Sequence, residues 1–139
     1  MAVIHSYPPN INEINLVLPT NDTNVFSYYP DIYVPSGKEL EADLMLHENI
    51  HLEQQKAIGV QNWWRKYLID IHFRLDQELA AFAAQLAYGK EVYPVKTSDQ
   101  MKQDFAFLLS GKQYQTGLTY QEADTALRRR AREFEKTVV

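Results

Sequence analysis

The segment His47-Glu48-Asn49-Ile50-His51 constrains this chain more than any other part of the sequence, because its two histidines are four residues apart. On an α-helix this spacing places both side chains on one face, about one turn apart. Two imidazoles arranged in this way can bind one metal ion, and Glu48, rotated about 100° from His47, then holds its carboxylate beside that ion. The alternative is a surface helix that carries two histidines by chance.

The surrounding residues favour a helix whose histidines face the interior. Ser36 as N-cap with Glu39 three residues later has the pattern of a capping box, and Gly59 is a natural stop, so this helix is expected between them. Two imidazoles in a core need polar partners, and a metal ion supplies one. One stripe of the helix, at spacings of four, three and four residues, consists of Leu40, Leu44, His47 and His51.

A third ligand is predicted on a later helix. That helix is expected from about Leu75 to Tyr88 with Gly89 as its stop, and Glu78 borders its apolar stripe. A carboxylate at the edge of a packed face needs a counter-ion or hydrogen bonds, which makes Glu78 the candidate. His72 is the alternative and would give a set of three histidines; both sets are known zinc chemistry. Mn²⁺, Co²⁺ and Fe²⁺ also suit nitrogen and oxygen ligands.

The remaining pattern predicts an α+β fold that is mostly α. Residues 1–35 carry five of the six prolines, and short strands are expected at 14–18 and 25–34. Pro30 indicates that the second strand lies at an edge of the sheet or is broken in two. The alternative to a β layer is a proline-rich arm that packs on the helices. The layer is expected to pack on a bundle of about five helices. Three further helical segments are expected besides the motif helix and the helix of Glu78. One covers residues 60–71. The second begins at a Thr97/Gln100 capping box and ends near Ser110, and the third begins at a Thr119/Glu122 capping box.

Composition bounds the class of protein. The chain has 139 residues, 45% of them hydrophobic, and no cysteine, which indicates one domain, 1–139, without disulfides or thiolate metal sites. No apolar run approaches the roughly 20 residues of a membrane span. Residues 1–9 do not resemble a signal peptide, so the expected location is the cytoplasm, without a membrane partner.

The arginines at 128–130 and 132 are the feature that most suggests nucleic acid. They are interpreted as a solvated face that the dipole of the last helix favours, because the net charge of the chain is −4. Nucleic-acid binding is therefore the alternative for this face rather than the expected function. The sequence leaves the oligomeric state open.

Several spaced residues resemble a known family of metallopeptidases. The motif His47-Glu48-x-x-His51, with a glutamate on a later helix, is similar to gluzincin-type zinc peptidases. The resemblance covers about residues 25–89 and extends to small zincin-like proteins often encoded by phages and prophages. Beyond the motif it is carried by Gln54-Gln55, Trp64-x-x-Tyr67-Leu68, Phe73-Arg74 and Gln77-Glu78-Leu79-Ala80-Ala81-Phe82.

The resemblance implies a zincin-like domain that hydrolyses peptide bonds of a peptide or protein substrate, in the host cytoplasm if the protein is phage-encoded. Zn²⁺ would be the cofactor, held by His47, His51 and Glu78, with Glu48 as general base for the metal-activated water. The segment 25–34 would align the substrate as an added strand. Candidates for the oxyanion or substrate residue are Tyr67, Tyr88, His72 and Arg74.

Departures from the family leave a second function open. Full-size relatives have a second domain that forms one wall of the cleft, for which a chain of 139 residues is too short. The interval from His51 to Glu78 is longer than in the larger gluzincins, and no third histidine follows at metzincin spacing. The alternative is therefore a catalytically inactive, metal-stabilised binding protein with a zincin fold.

Overall fold

The structure, a computed structural model, describes residues 1–138 and is mostly helical with one small sheet. The α+β class expected from the sequence is confirmed. The described residues contain five long helices, as expected, and one short helix near the N-terminus. In chain order the elements are β1 (Val3–Ile4), α1 (Ile11–Asn15), β2 (Phe26–Tyr28), β3 (Asp31–Tyr33), α2 (Ala42–Ile58), α3 (Val60–Ile69), α4 (Ile71–Val92), α5 (Val95–Ser110) and α6 (Tyr120–Val138).

The N-terminal layer differs in part from the expected pair of strands. The prediction of a strand at 14–18 is wrong. The Leu18 amide donates to the Ile14 carbonyl (2.9 Å), which closes a helical turn, and both side chains are buried. The strand expected at 25–34 is broken at Pro30 into antiparallel β2 and β3, as one of the two expectations had it. The sheet has the order β1-β3-β2, with β1 parallel to β3.

The motif helix α2 begins later than expected and ends where expected. It starts at Ala42, after Glu41 with an extended backbone (φ −70°, ψ 156°), and the Ser36 hydroxyl instead accepts from the Lys38 amide in a local turn (3.2 Å). The capping box expected at Ser36 is therefore not formed. Gly59, with a φ of +91°, terminates the helix as expected.

The next long helix, α4, extends beyond both expected ends. It begins at Ile71, where the Asp70 side chain accepts from the amide of Phe73 (3.1 Å), and it continues through Gly89 to Val92. Gly89 does not stop the helix but allows close packing, since a Cβ there would lie 2.6 Å from the sulfur of Met101. Helix α5 begins at Val95 after Pro94, so the expected Thr97 capping box is not formed either.

The capping box expected before α6 is confirmed. The Thr119 amide donates to Oε1 of Glu122 (2.9 Å), and the Glu122 amide donates to the Thr119 hydroxyl (3.1 Å). Thr119→Ala is expected to lower the free energy of unfolding by about 1 kcal/mol, because one amide of the first turn loses its acceptor. Urea denaturation measures this change. Thr125→Ala, an exposed position on α6, is the control, and an equal loss in both variants would contradict the prediction.

Helix α4 lies at the centre of the bundle and brings the motif helix to its side. It packs against α2, α3, α5 and α6, while the sheet packs against α2 through β2. The side of α4 that faces α5 and α6 is held by an apolar core that includes Phe82, Leu86, Leu109 and Leu127. The contact between α2 and α4 therefore places the histidine motif opposite Glu78.

None of the helices in the described part of the chain has the length and apolar character needed to cross a bilayer.

Candidate metal centre

Two histidines of α2 and one glutamate of α4 converge in the interior. The Nε2 atoms of His47 and His51 each lie 3.2 Å from Oε1 of Glu78, and the three side chains are buried. One donor atom from each residue lies within 4.8 Å of the other two. Ligands about 2.1 Å from a tetrahedral zinc ion are about 3.4 Å from one another, so the observed spacing suits a divalent cation. The predicted set can therefore hold a metal ion, whereas His72 is exposed and lies outside it.

Burial and charge act together on these ligands. Burial would raise the pKa of Glu78, but the charge of His51 and the hydrogen bonds from both histidines lower this pKa below its usual range. Burial opposes protonation of His51, but the Glu78 carboxylate outweighs it and raises the pKa of His51 to about 9. His51 therefore carries the proton of this pair near neutral pH, and a cation that binds the same atoms must displace it.

Glu48 lies beside the ligands and is held by a serine that sequence reasoning missed. Its Oε2 accepts a hydrogen bond from the Ser27 hydroxyl (2.6 Å), and burial raises its pKa although both histidines and Ser27 lower it. Glu48 is only 6% exposed. No spacing in the sequence points to Ser27, because β2 meets α2 only through tertiary packing.

A small cleft with a volume of about 70 Å³ opens beside this group and is shared by Glu48 and the three ligands. Gln113 and Tyr114, from the segment between α5 and α6, also line it. Burial, with the charges of Glu78 and Glu48, raises the pKa of Tyr114 well above its ordinary value, so its hydroxyl stays protonated. Tyr114 lies in a loop that no motif marks. The apolar part of the lining includes Ile14, Leu18, Phe26, Trp63 and Trp64.

Tyr67, one of the expected oxyanion or substrate residues, lines the cleft, but its hydroxyl is directed at the metal-ligand candidate Glu78. Its hydroxyl donates to Oε2 of Glu78 (2.6 Å), the oxygen that does not face the histidines. Its ring stacks on Trp63, with centroids 4.7 Å apart. Burial and the Glu78 charge raise the pKa of Tyr67 well above its ordinary value, so it remains a donor. The structure therefore makes Tyr67 a residue that orients Glu78.

The other expected oxyanion or substrate residues do not line the cleft. His72 is exposed because it lies on the first turn of α4, and Tyr88, near the other end of that helix, packs its ring against Tyr93 (6.1 Å between centroids). Arg74 is buried, and its guanidinium donates to the main-chain carbonyls of Tyr114 (2.7 Å) and Tyr67 (2.6 Å). Its donors thus support the backbone behind the site and are not directed at a substrate.

Arg74→Met is expected to lower the free energy of unfolding by about 3 kcal/mol, because it leaves buried carbonyls without a donor. Thermal and urea unfolding of the variant measure this loss. Arg65→Met, at an exposed position on α3, is the matched control and should change stability by less than about 0.5 kcal/mol. Equal stability of the two variants would show that the carbonyl contacts of Arg74 are not important for the fold.

The outer edge of β2 is occupied by side chains. The Ser27 carbonyl accepts from Nε2 of Gln55 (2.9 Å) and from Nε1 of Trp64 (3.0 Å), while the Tyr29 amide donates to Oε1 of Gln55 (2.7 Å). The fully buried amide of Gln55 thus takes the place of a neighbouring strand. The expectation that this segment aligns a peptide as an added strand is therefore wrong at Ser27 and Tyr29.

The comparisons with known proteins found no relative of this chain. No protein-family model matches the chain, and comparison with curated proteins and with solved structures found no significant match.

Proposed function

We propose that the chain is a small zincin-like metallopeptidase that hydrolyses peptide bonds with Zn²⁺ as its cofactor. The observation that carries the proposal is a buried carboxylate, Glu48, in the same cleft as a complete set of three ligands. His47, His51 and Glu78 would hold the ion, since two imidazoles and one carboxylate are a ligand set of catalytic zinc. When bound, zinc supplies a water of lowered pKa and polarises the carbonyl of the substrate.

Glu48 is the residue suited to move the proton of the attacking water. The Ser27 hydroxyl holds Oε2, which leaves Oε1 to accept a proton while the water oxygen bonds to the carbonyl carbon. Glu48 then passes this proton to the amide nitrogen as the carbon–nitrogen bond breaks. The products are a carboxylic acid and an amine, and Glu48 returns to its starting state.

Tyr114 is the residue best placed to stabilise the developing charge on the carbonyl oxygen. It lines the cleft with Glu48 and its hydroxyl stays protonated, so it can donate a hydrogen bond to that oxygen. The hydroxyl of Tyr67 is already directed to Glu78. This assignment replaces the four residues that the sequence offered for the role.

The apolar wall of the cleft favours a substrate with a bulky apolar side chain beside the cleaved bond. Leu18, Phe26 and Trp64 lie in this wall and belong to one apolar cluster near β2. Burying such a side chain contributes about 1.5–3 kcal/mol of binding. Because the edge of β2 is occupied, the substrate is positioned by this wall and not by strand addition.

A metal-stabilised binding protein without turnover is the second candidate. It is favoured by burial, since His47, Glu48 and His51 are at most 6% exposed. A site this enclosed admits a long peptide less readily than an open groove does. The same three ligands would then serve the stability of the fold alone.

Metal analysis combined with a peptide library tests the two candidates. The purified protein is expected to hold about one zinc per chain and to cleave library peptides next to bulky apolar residues. Mass spectrometry identifies the cleaved bonds, and a chelator should abolish cleavage. Zinc-loaded protein that cleaves no peptide would contradict the peptidase and support the binding protein.

A further inference from the structure

In each histidine of the candidate metal centre, the ring nitrogen that does not face Glu78 is hydrogen-bonded to a glutamine. Nδ1 of His47 lies 2.9 Å from Oε1 of Gln85, and Nδ1 of His51 lies 2.8 Å from Oε1 of Gln54. Gln85 is buried on α4, opposite His47, while Gln54 follows His51 by three residues on α2. Both rings thus have one nitrogen on a glutamine and the other near Glu78.

The orientation of each amide is set by a group that can only accept hydrogen bonds. Nε2 of Gln85 donates to Oδ2 of Asp43 (2.7 Å), and Nε2 of Gln54 donates to the main-chain carbonyl of Gln77 (3.2 Å). A reversed amide would place an oxygen against each of these acceptors. The oxygens Oε1 of Gln85 and Gln54 must therefore face the histidine rings.

An amide oxygen facing a ring nitrogen determines which nitrogen carries the hydrogen. The oxygen only accepts, so Nδ1 of His47 and Nδ1 of His51 must be the protonated atoms. When a cation takes the place of the hydrogen bonds to Glu78, the lone pairs of both rings are then on Nε2, the atoms that face Oε1 of Glu78. Hydrogen bonds of this kind fix the tautomer and the direction of metal-binding histidines.

We propose that Gln85 and Gln54 are positioning residues that hold His47 and His51 in the tautomer required for cation binding, with Asp43 orienting Gln85. The inference rests on the metal site of the proposed function but not on hydrolysis. It assigns a role to three side chains that do not touch the cation. It also identifies Gln85, on α4, as a link between the motif helix and the helix that supplies Glu78.

The test measures zinc affinity by competition with a chromophoric chelator. Gln85→Leu keeps the volume of the side chain but removes the acceptor, so zinc affinity is expected to fall about 10–100-fold. Gln103→Leu, at an exposed position on α5, is the matched control and should bind zinc as the wild type does. The double variant Gln85→Glu/Asp43→Asn reverses the second hydrogen bond but restores an acceptor for Nδ1, and it is expected to recover tight binding.

A spectroscopic signature separates positioning from a general loss of structure. Long-range ¹H–¹⁵N spectra of the zinc-loaded wild type should show His47 and His51 with hydrogen on Nδ1. In the zinc-free protein, Gln85→Leu should lose hydrogen from Nδ1 of His47 and retain it on Nδ1 of His51, whereas a merely destabilised protein would change both. If Gln85→Leu does not fold, Gln54→Leu serves as the second variant, with His51 as its reporter.

The outcomes distinguish this inference from the proposed function. Folded Gln85→Leu protein that binds zinc as tightly as the wild type would overturn the positioning role alone. Hydrogen on Nε2 of either histidine in the zinc-loaded wild type would overturn it as well. Zinc binding with no peptide cleavage, together with weak binding by Gln85→Leu, would support the inference and reject the peptidase. A wild type that binds no zinc would overturn both.

Discussion

Replacing Glu48 with glutamine is expected to lower kcat for peptide hydrolysis by about 10²–10⁴-fold, the usual effect of losing a general base. The amide has nearly the same volume and can accept the hydrogen bond of Ser27, but it cannot take a proton from water. The variant is expected to keep its zinc, because His47, His51 and Glu78 remain. Kinetics on a peptide selected with the wild type, with zinc content measured on the same preparation, provide the check.

Glu53→Gln is the matched control for this variant. Glu53 lies on the same helix and is exposed, so its replacement makes the same change in charge away from the cleft. Its kcat should equal that of the wild type. If Glu48→Gln hydrolyses peptide as fast as Glu53→Gln, Glu48 is not the general base.

Removing the metal is expected to lower the melting temperature by about 10–20 °C relative to zinc-saturated protein. A ligand present at 1,000 times its Kd stabilises the folded state by about 4 kcal/mol. The effect arises because the three ligand atoms converge only in the folded chain, so the unfolded chain gains little from the ion. Thermal unfolding with a chelator, and again after addition of zinc, measures the difference.

Two controls show whether the predicted ligands produce this stabilisation. His51→Ala should lose the rise in melting temperature on zinc addition, whereas His72→Ala, at an exposed histidine outside the set, should keep it. Mg²⁺ should give no rise, because it prefers oxygen ligands and retains its waters. A zinc effect that is lost in both His51→Ala and His72→Ala would favour the three-histidine alternative considered from the sequence.

Local features of the fold could be predicted where residues near in sequence decide them. The end of α2 at Gly59 and the reciprocal hydrogen bonds of Thr119 and Glu122 depend only on neighbouring backbone. The C-terminal end of α4 could not, because a glycine that usually ends a helix instead allows close packing against Met101. The strand pattern at 14–18 also contains a spacing of four between Ile14 and Leu18, which fits the helical turn that is found.

The histidine motif alone determined that two imidazoles share one face of a helix, and the need to satisfy a carboxylate at a packed face pointed to Glu78. Tertiary structure decided most of what surrounds them: it placed Ser27 on Glu48, Gln85 on His47 and Arg74 behind Tyr114, across separations of 21, 38 and 40 residues. The period of a helix fixes which of its own side chains lie together. Which other side chain meets them depends on how whole helices pack, and that packing is a property of the entire core.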